Sequence, residues 1–118
     1  MNARIYVETS VISYLANRPS RDGLVAARQA LTHDWWVTVN RENTWVSNLV
    51  IAEISKGDPA AASRRLQFVA GLPVFQEHPM AAELAMRLMQ ANIVPATEPE
   101  DAMHIALATL HECRYLVT

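Results

Sequence analysis

A chain of 118 residues with a 51% hydrophobic share has room for one domain around one core, and that share excludes a disordered chain. The net charge of −2, from 10 basic and 12 acidic residues, supplies no overall field for a sequence-independent DNA binder. No apolar run approaches the roughly 18 residues of a membrane span, and Met1 to Arg4 leads into a strand rather than into a charged-then-apolar leader, so a cytoplasmic protein without a membrane partner is expected.

Arg4 to Val7 alternates and is rich in strand formers, which predicts a first strand with Glu8 at its carboxyl end. Thr9 and Ser10 then precede the apolar spacing Val11, Ile12, Leu15, the pattern of a capped helix start. Asp22 is a good cap for a second helix that runs from about residue 23 toward Val39, with Leu24, Ala27, Leu31 and Trp35 recurring at three- and four-residue intervals. Thr44 to Ser47 reads as a second strand, followed by a helix through Leu49, Ile51, Ala52 and Ile54 that stops at Gly57.

Asp58 and Pro59 supply a cap and a first-turn proline for the next helix, which reaches about Ala70 and ends at Gly71. Pro73 to Phe75 is compatible with a third strand. Pro79 opens a helix with Leu84, Leu88 and Met89 on its inner side, and Pro99 opens a last one to about Leu110. Tyr115 to Thr118 closes the chain as a strand. Strands alternating with helices imply one α/β domain, a mostly parallel sheet covered on both faces.

Three acids occupy comparable places in this pattern. Glu8 ends the first strand, Glu53 lies in the helix after the second, and Asp101 lies in the first turn of the helix that leads to the last. All three can converge at the carboxyl edge of a parallel sheet, where open α/β folds put their ligands. Converging carboxylates repel one another unless a cation neutralises them, and hard oxygen donors with room for water suit Mg²⁺ or Mn²⁺. Such an ion can activate water and stabilise the leaving oxygen of a phosphodiester. As a plain first-turn acid Asp101 would favour the helix dipole, whereas an ionised Glu8 on an inner strand needs a partner.

The remaining signals are weaker. Nine of the ten cations are arginine, suited to bidentate phosphate contact, and Arg18 and Arg21 flank a Pro-Ser turn soon after Glu8, which makes them substrate-binding candidates. His104, three residues beyond Asp101 on one helical face, could hydrogen-bond that acid or approach substrate. The lone cysteine, Cys113, reads as a buried reduced thiol. His33, His78 and His111 have no zinc-like spacing, and no glycine-rich phosphate loop occurs. Trp35, Trp36, Trp45 and Tyr14 divide between core and dimer contacts in this reading.

The stretches "IYVETSVISYL", "VSNLVIAEISKGDP" and "PEDAMHIALATLHECRYLVT" together resemble the PIN-domain family, in particular its small bacterial VapC-like members, known as toxins of type II toxin–antitoxin pairs. The resemblance spans essentially the whole chain in order and spacing. It implies a three-layer α/β/α sandwich with a parallel sheet, a Mg²⁺- or Mn²⁺-dependent endoribonuclease acting on RNA, a homodimer, and an antitoxin partner.

Carried over, the family's acids fall on Glu8, Glu53 and Asp101, and its supporting hydroxyl on Ser10 with Thr9 beside it. There are two departures. The usual first acid is aspartate, and glutamate moves the carboxylate out by about 1.5 Å of bond length. Family members also continue past the last strand, so residues 1–118 are expected to form one PIN-like domain lacking its usual C-terminal end. These departures keep a second reading open, a catalytically weak PIN fold that binds protein or RNA.

Overall fold

In the computed structural model, which describes residues 3–118, each strand is short and each of the first three is followed by helix. The order is β1 (Ile5–Val7), α1 (Thr9–Ala16), α2 (Gly23–Trp36), β2 (Thr44–Ser47), α3 (Asn48–Ile54), α4 (Pro59–Val69), β3 (Val74–Phe75), α5 (Ala81–Gln90), α6 (Pro99–Leu110) and β4 (Tyr115–Val117). Met1 and Asn2, the start of the segment read as leading into the first strand, lie outside the described residues.

The four strands form one sheet in the order β3-β2-β1-β4. All pairings are parallel: Ile5 sits opposite Thr44 and Tyr115, Tyr6 opposite Trp45 and Leu116, Val7 opposite Val117, and Ser47 opposite Phe75. Parallel neighbours need crossover connections, and these are right-handed in nearly all folds. The steps β1→β2→β3 run one way across the sheet and put α1 to α4 on one face, where α1 packs on α2, α3 and α4. The return from β3 to β4 reverses direction and puts α5 and α6, packed on each other, on the opposite face. The result is the three-layer α/β/α sandwich that the alternating pattern implies.

The main core lies around β1 and β2, with Tyr6, Val7, Ile12, Val46, Val50 and Ile54 fully buried. A smaller cluster of Ala85, Val94, Ala102 and Ala106 joins α5 to α6, and its small side chains allow the two helices to approach closely. Gly57 and Gly71 take positive φ just past α3 and α4, the left-handed conformation that closes a helix without a Cβ clash. Asp58 caps α4 through the Ala61 N–H, and Asp22 caps α2 through the Val25 N–H, as their positions predict.

Three local expectations are corrected. The second helix stops at Trp36 instead of running on to Val39, and two residues of its apolar spacing are turned out: Leu24 and Leu31 are 63% and 68% exposed, while Trp35 packs against the core. Gln29 and Trp36 are buried instead. The Gln29 amide accepts from the Ser20 N–H and donates to the Arg18 carbonyl, so a polar tether to the preceding turn sets the helix's rotation against its weak apolar stripe. The fifth helix begins at Ala81, two residues after Pro79, with Leu84, Leu88 and Met89 half-buried against the smaller cluster.

Trp36 is buried, while Trp35, Trp45 and Tyr14 are half-buried. Trp45 stacks on Phe75 with ring centroids 4.2 Å apart, and the Arg4 guanidinium lies 5.2 Å from the Trp45 ring. Cys113 is half-buried against the core, and burial pushes its thiol up to about 11 with the Arg4 charge as a partial offset.

Ile12→Ala opens a cavity in the core and is expected to cost about 2–5 kcal/mol in urea denaturation, whereas Leu31→Ala should change stability by no more than about 0.5 kcal/mol. Equal losses would mean that α2 turns its apolar stripe inward after all. Cys113 should react slowly with a thiol-specific disulfide reagent at pH 8, its rate still rising as the pH approaches about 11.

Candidate functional site

The change of direction after β1 makes a crevice. Successive crossovers leave β1 toward β2 on one side while β4 arrives on the other, and the carboxyl ends of β1 and β4 form the topological switch point at which α/β sheets bind ligands. A cavity of about 140 Å³ opens there, lined by Glu8, Asp101, His104, Ile105, Leu116 and Thr118. A larger cleft of about 330 Å³, lined mostly by apolar side chains such as Leu49, Phe75 and Met103, lies at the ends of β2 and β3. Its only carboxylate is Glu77, so the acid chemistry belongs to the smaller cavity.

Glu8 ends β1 and is itself the N-cap of α1, its carboxylate accepting from the Ser10 N–H at 3.0 Å. This corrects the expectation that Thr9 and Ser10 cap the helix: Glu8 is the cap and they are the first two residues of α1. Glu8 is only 9% exposed. The partner that an ionised Glu8 requires is thus the start of α1, together with hydroxyls: Ser10 Oγ donates to Glu8 Oε1, and Thr118 Oγ1 reaches the same oxygen at 3.2 Å. Three donors converge on one oxygen and leave Oε2 without a partner among the described residues.

Thr9 serves a different acid. Its Oγ1 donates to Glu53 Oε1, which ties the first turn of α1 to the last turn of α3. The same Glu53 oxygen lies 2.8 Å from His104 Nε2. His104 is therefore a partner of Glu53, not of Asp101 as its spacing suggested. The histidine is 3% exposed, and its other nitrogen, Nδ1, lies 2.8 Å from the Tyr6 hydroxyl. Tyr6 in turn meets Ser47 Oγ at 2.7 Å, and Ser47 caps α3 by accepting from the Val50 N–H.

Burial works against the charge on Glu53, but hydrogen bonds from Thr9 and Glu100 and the neighbouring His104 outweigh it and hold the carboxyl below its ordinary value. Glu100, exposed on the first turn of α6, is pushed up by the hydrogen bond and the charge it shares with Glu53. The deeply buried Tyr6 hydroxyl is pushed well above its ordinary value by desolvation.

Asp101 is exposed on the cavity rim, one residue after Glu100. Glu8, Asp101 and His104 therefore share one cavity, and Glu53 joins them through Thr9 and His104. Arg18 and Arg21 are exposed in the turn after α1. They lie at the opposite end of that eight-residue helix from Glu8, about 12 Å along its axis, so they are not gathered with the acids.

Among the described residues, no three His, Cys, Asp or Glu side chains are spaced to chelate one metal ion directly. The donor chemistry nevertheless fits a hard divalent cation held partly through water. Glu8, Asp101 and Glu100 have no lysine or arginine within ion-pair distance among the described residues. Magnesium commonly keeps several waters and takes only one or two carboxylates directly.

Tyr6, Ser47 and Glu100 were not singled out from sequence. Ser47 carried a signal, since a hydroxyl ending a strand just before a helix repeats the strand-then-cap pattern of Glu8. Tyr6 carried none beyond strand alternation, because a phenol buried against a histidine far along the chain leaves no local trace.

No curated protein matches the chain in sequence. Among solved structures, the fold is similar to that of VapC20 from Mycobacterium tuberculosis, described as a sarcin–ricin loop cleaving toxin, with a TM-score of 0.71 at 18% identity over 95% of this chain and 86% of that one. The family model of the PIN domain matches residues 5–118, from the first residue of β1 through the Thr118 hydroxyl that meets Glu8. The chain belongs to the PIN-domain family.

Proposed function

We propose that this protein is a divalent-metal-dependent endoribonuclease and the toxin of a toxin–antitoxin pair. The observation that carries the reading is the gathering of Glu8, Asp101 and the Glu53–His104 pair at the switch point of a PIN fold, with hydroxyls from Ser10, Thr9 and Thr118 on the acids. Membership of the family and the likeness in fold to a toxin described as cleaving the sarcin–ricin loop support RNA as the substrate.

Glu8, Glu53 and Asp101 would hold Mg²⁺ or Mn²⁺. When bound, such an ion lowers the pKa of water and neutralises charge developing on the phosphodiester oxygens. The chain's own groups prepare the site. Ser10 and Thr118 fix Glu8 at the end of β1, while Thr9 and His104 fix Glu53 and keep it ionised. Asp101, exposed on the rim, faces the solvent from which substrate arrives. Arg18 and Arg21, remote from the acids, would contact phosphates away from the scissile bond. An antitoxin protein, a homodimer and a cytoplasmic setting complete the proposal, and no described helix is long and apolar enough to cross a membrane.

A second reading has two observations in its favour. Glu8 Oε1 is already committed to Ser10 and Thr118, and no three acids are spaced for direct chelation, as a PIN fold that binds RNA or protein without cutting would allow.

Incubation with cellular RNA separates the two. Cleavage is expected with Mg²⁺ or Mn²⁺, abolished by chelator and reduced roughly a hundredfold or more in Asp101→Asn, equivalent to about 2.7 kcal/mol of barrier. Intact RNA in every lane, with a gel-shift complex still formed, would establish the binding module instead. Cleavage that persists in chelator would defeat the metal mechanism.

A further inference from the structure

The hydrogen bonds behind Glu53 form a single line: Val50 N–H, Ser47 Oγ, Tyr6 Oη, His104, Glu53 Oε1. Its three side chains are 1%, 0% and 3% exposed, from Ser47 through Tyr6 to His104, so water cannot substitute for a missing partner. We propose that this line has one direction, every hydrogen pointing toward Glu53, and that Ser47 and Tyr6 are positioning residues that fix His104 as its Nε2–H tautomer and lock the Glu53 carboxylate in place.

The direction follows from donor and acceptor counting. Glu53 Oε1 already accepts the Thr9 hydroxyl hydrogen, so a bare imidazole nitrogen facing it would set lone pair against lone pair. Nε2 must therefore carry the hydrogen. In a neutral imidazole Nδ1 is then an acceptor, and the Tyr6 hydroxyl is the donor within reach. That commits the single phenolic hydrogen to His104, so Ser47 donates to Tyr6. Ser47 can do so because its own lone pair receives the Val50 N–H. The reverse polarity would leave the buried Ser47 hydrogen without an acceptor and Glu53 facing a lone pair. A buried polar hydrogen left unpaired is costly.

The line also has structural reach. Ser47 ends β2 and caps α3, Tyr6 lies in β1, and His104 lies in α6, so it joins the helix that carries Glu53 to the central strand and to the opposite layer. With Oε1 held from two sides, the second carboxylate oxygen is the one an outside ligand would take, in competition with Glu100. This consequence rests on the reading of Glu53 as a metal-holding acid; the tautomer does not.

Long-range proton–nitrogen correlation spectra of ¹⁵N-labelled, metal-free protein at pH 8 test the tautomer, and calorimetric titration with Mn²⁺ tests the consequence. The wild-type His104 signals should show the pure Nε2–H pattern. Tyr6→Phe, which removes only the hydroxyl, should yield a tautomer mixture and weaken Mn²⁺ binding about tenfold or more, the usual cost of removing a group that orients a metal ligand. His104→Gln, whose amide nitrogen can still donate to Glu53, should recover most of the affinity lost in His104→Leu. A wild-type Nδ1–H or averaged signal overturns the proposal, as does unchanged Mn²⁺ affinity in Tyr6→Phe. Should Tyr6→Phe fail to fold, the wild-type spectrum and the two His104 variants decide. Absence of Mn²⁺ binding by the wild type would defeat the metal reading, and the spectrum would then decide the relay alone.

Discussion

The parallel pairing of β1 with both β2 and β4 is the constraint from which the other features follow. A three-residue strand paired on both sides has both faces covered, as the full burial of Tyr6 and Val7 reflects. Parallel neighbours force crossovers, crossovers take one hand, and the reversal of direction between β3 and β4 sends helices to both faces. The same reversal opens the crevice at the end of β1. Glu8 and Thr118, more than a hundred residues apart, become hydrogen-bond partners there because their strands are neighbours in register.

Charge in that crevice is tolerated by a division of labour. An ionised carboxylate placed away from water is costly unless donors or opposite charge surround it. Glu8 obtains donors from the start of α1, and Glu53 from a threonine on the same turn and a histidine on another layer. Adjacent residues Thr9 and Ser10 thus serve two acids, since successive side chains on a helix point about 100° apart. Glu53 and Glu100 are pushed in opposite directions: its donors and the neighbouring His104 lower the half-buried Glu53, while the hydrogen bond and the charge of Glu53 raise the exposed Glu100.

The scaffold beneath these groups is stiff. Phe75 sits between Trp45 and His111 in a continuous stack, with centroid spacings of 4.2 Å on each side. Arg4 lies over the aromatic pair and donates to the His111 carbonyl, which ties the end of α6 back to the first strand. A site built on strands and helix termini that are anchored in this way holds its side chains more closely than one built on loops.

Local chemistry was legible in the order of residues. Every strand, the α/β class, the caps at Asp22 and Asp58, the glycine stops at 57 and 71, and the placing of Glu8, Glu53 and Asp101 at comparable ends of elements all follow from short-range pattern, because propensity, capping and periodicity act within a few residues. The rotation of α2 did not, since the Gln29 tether to the 18–20 turn outweighs a weak apolar stripe. Nor did the partner of His104, the capping by Glu8, or the buried roles of Tyr6 and Ser47. Those depend on contacts between residues dozens of positions apart, in register across a sheet and between its two helical layers. Sequence determined which groups were available and where along each element they stood; only the tertiary structure decided which of them meet, because hydrogen bonds select partners by distance in space.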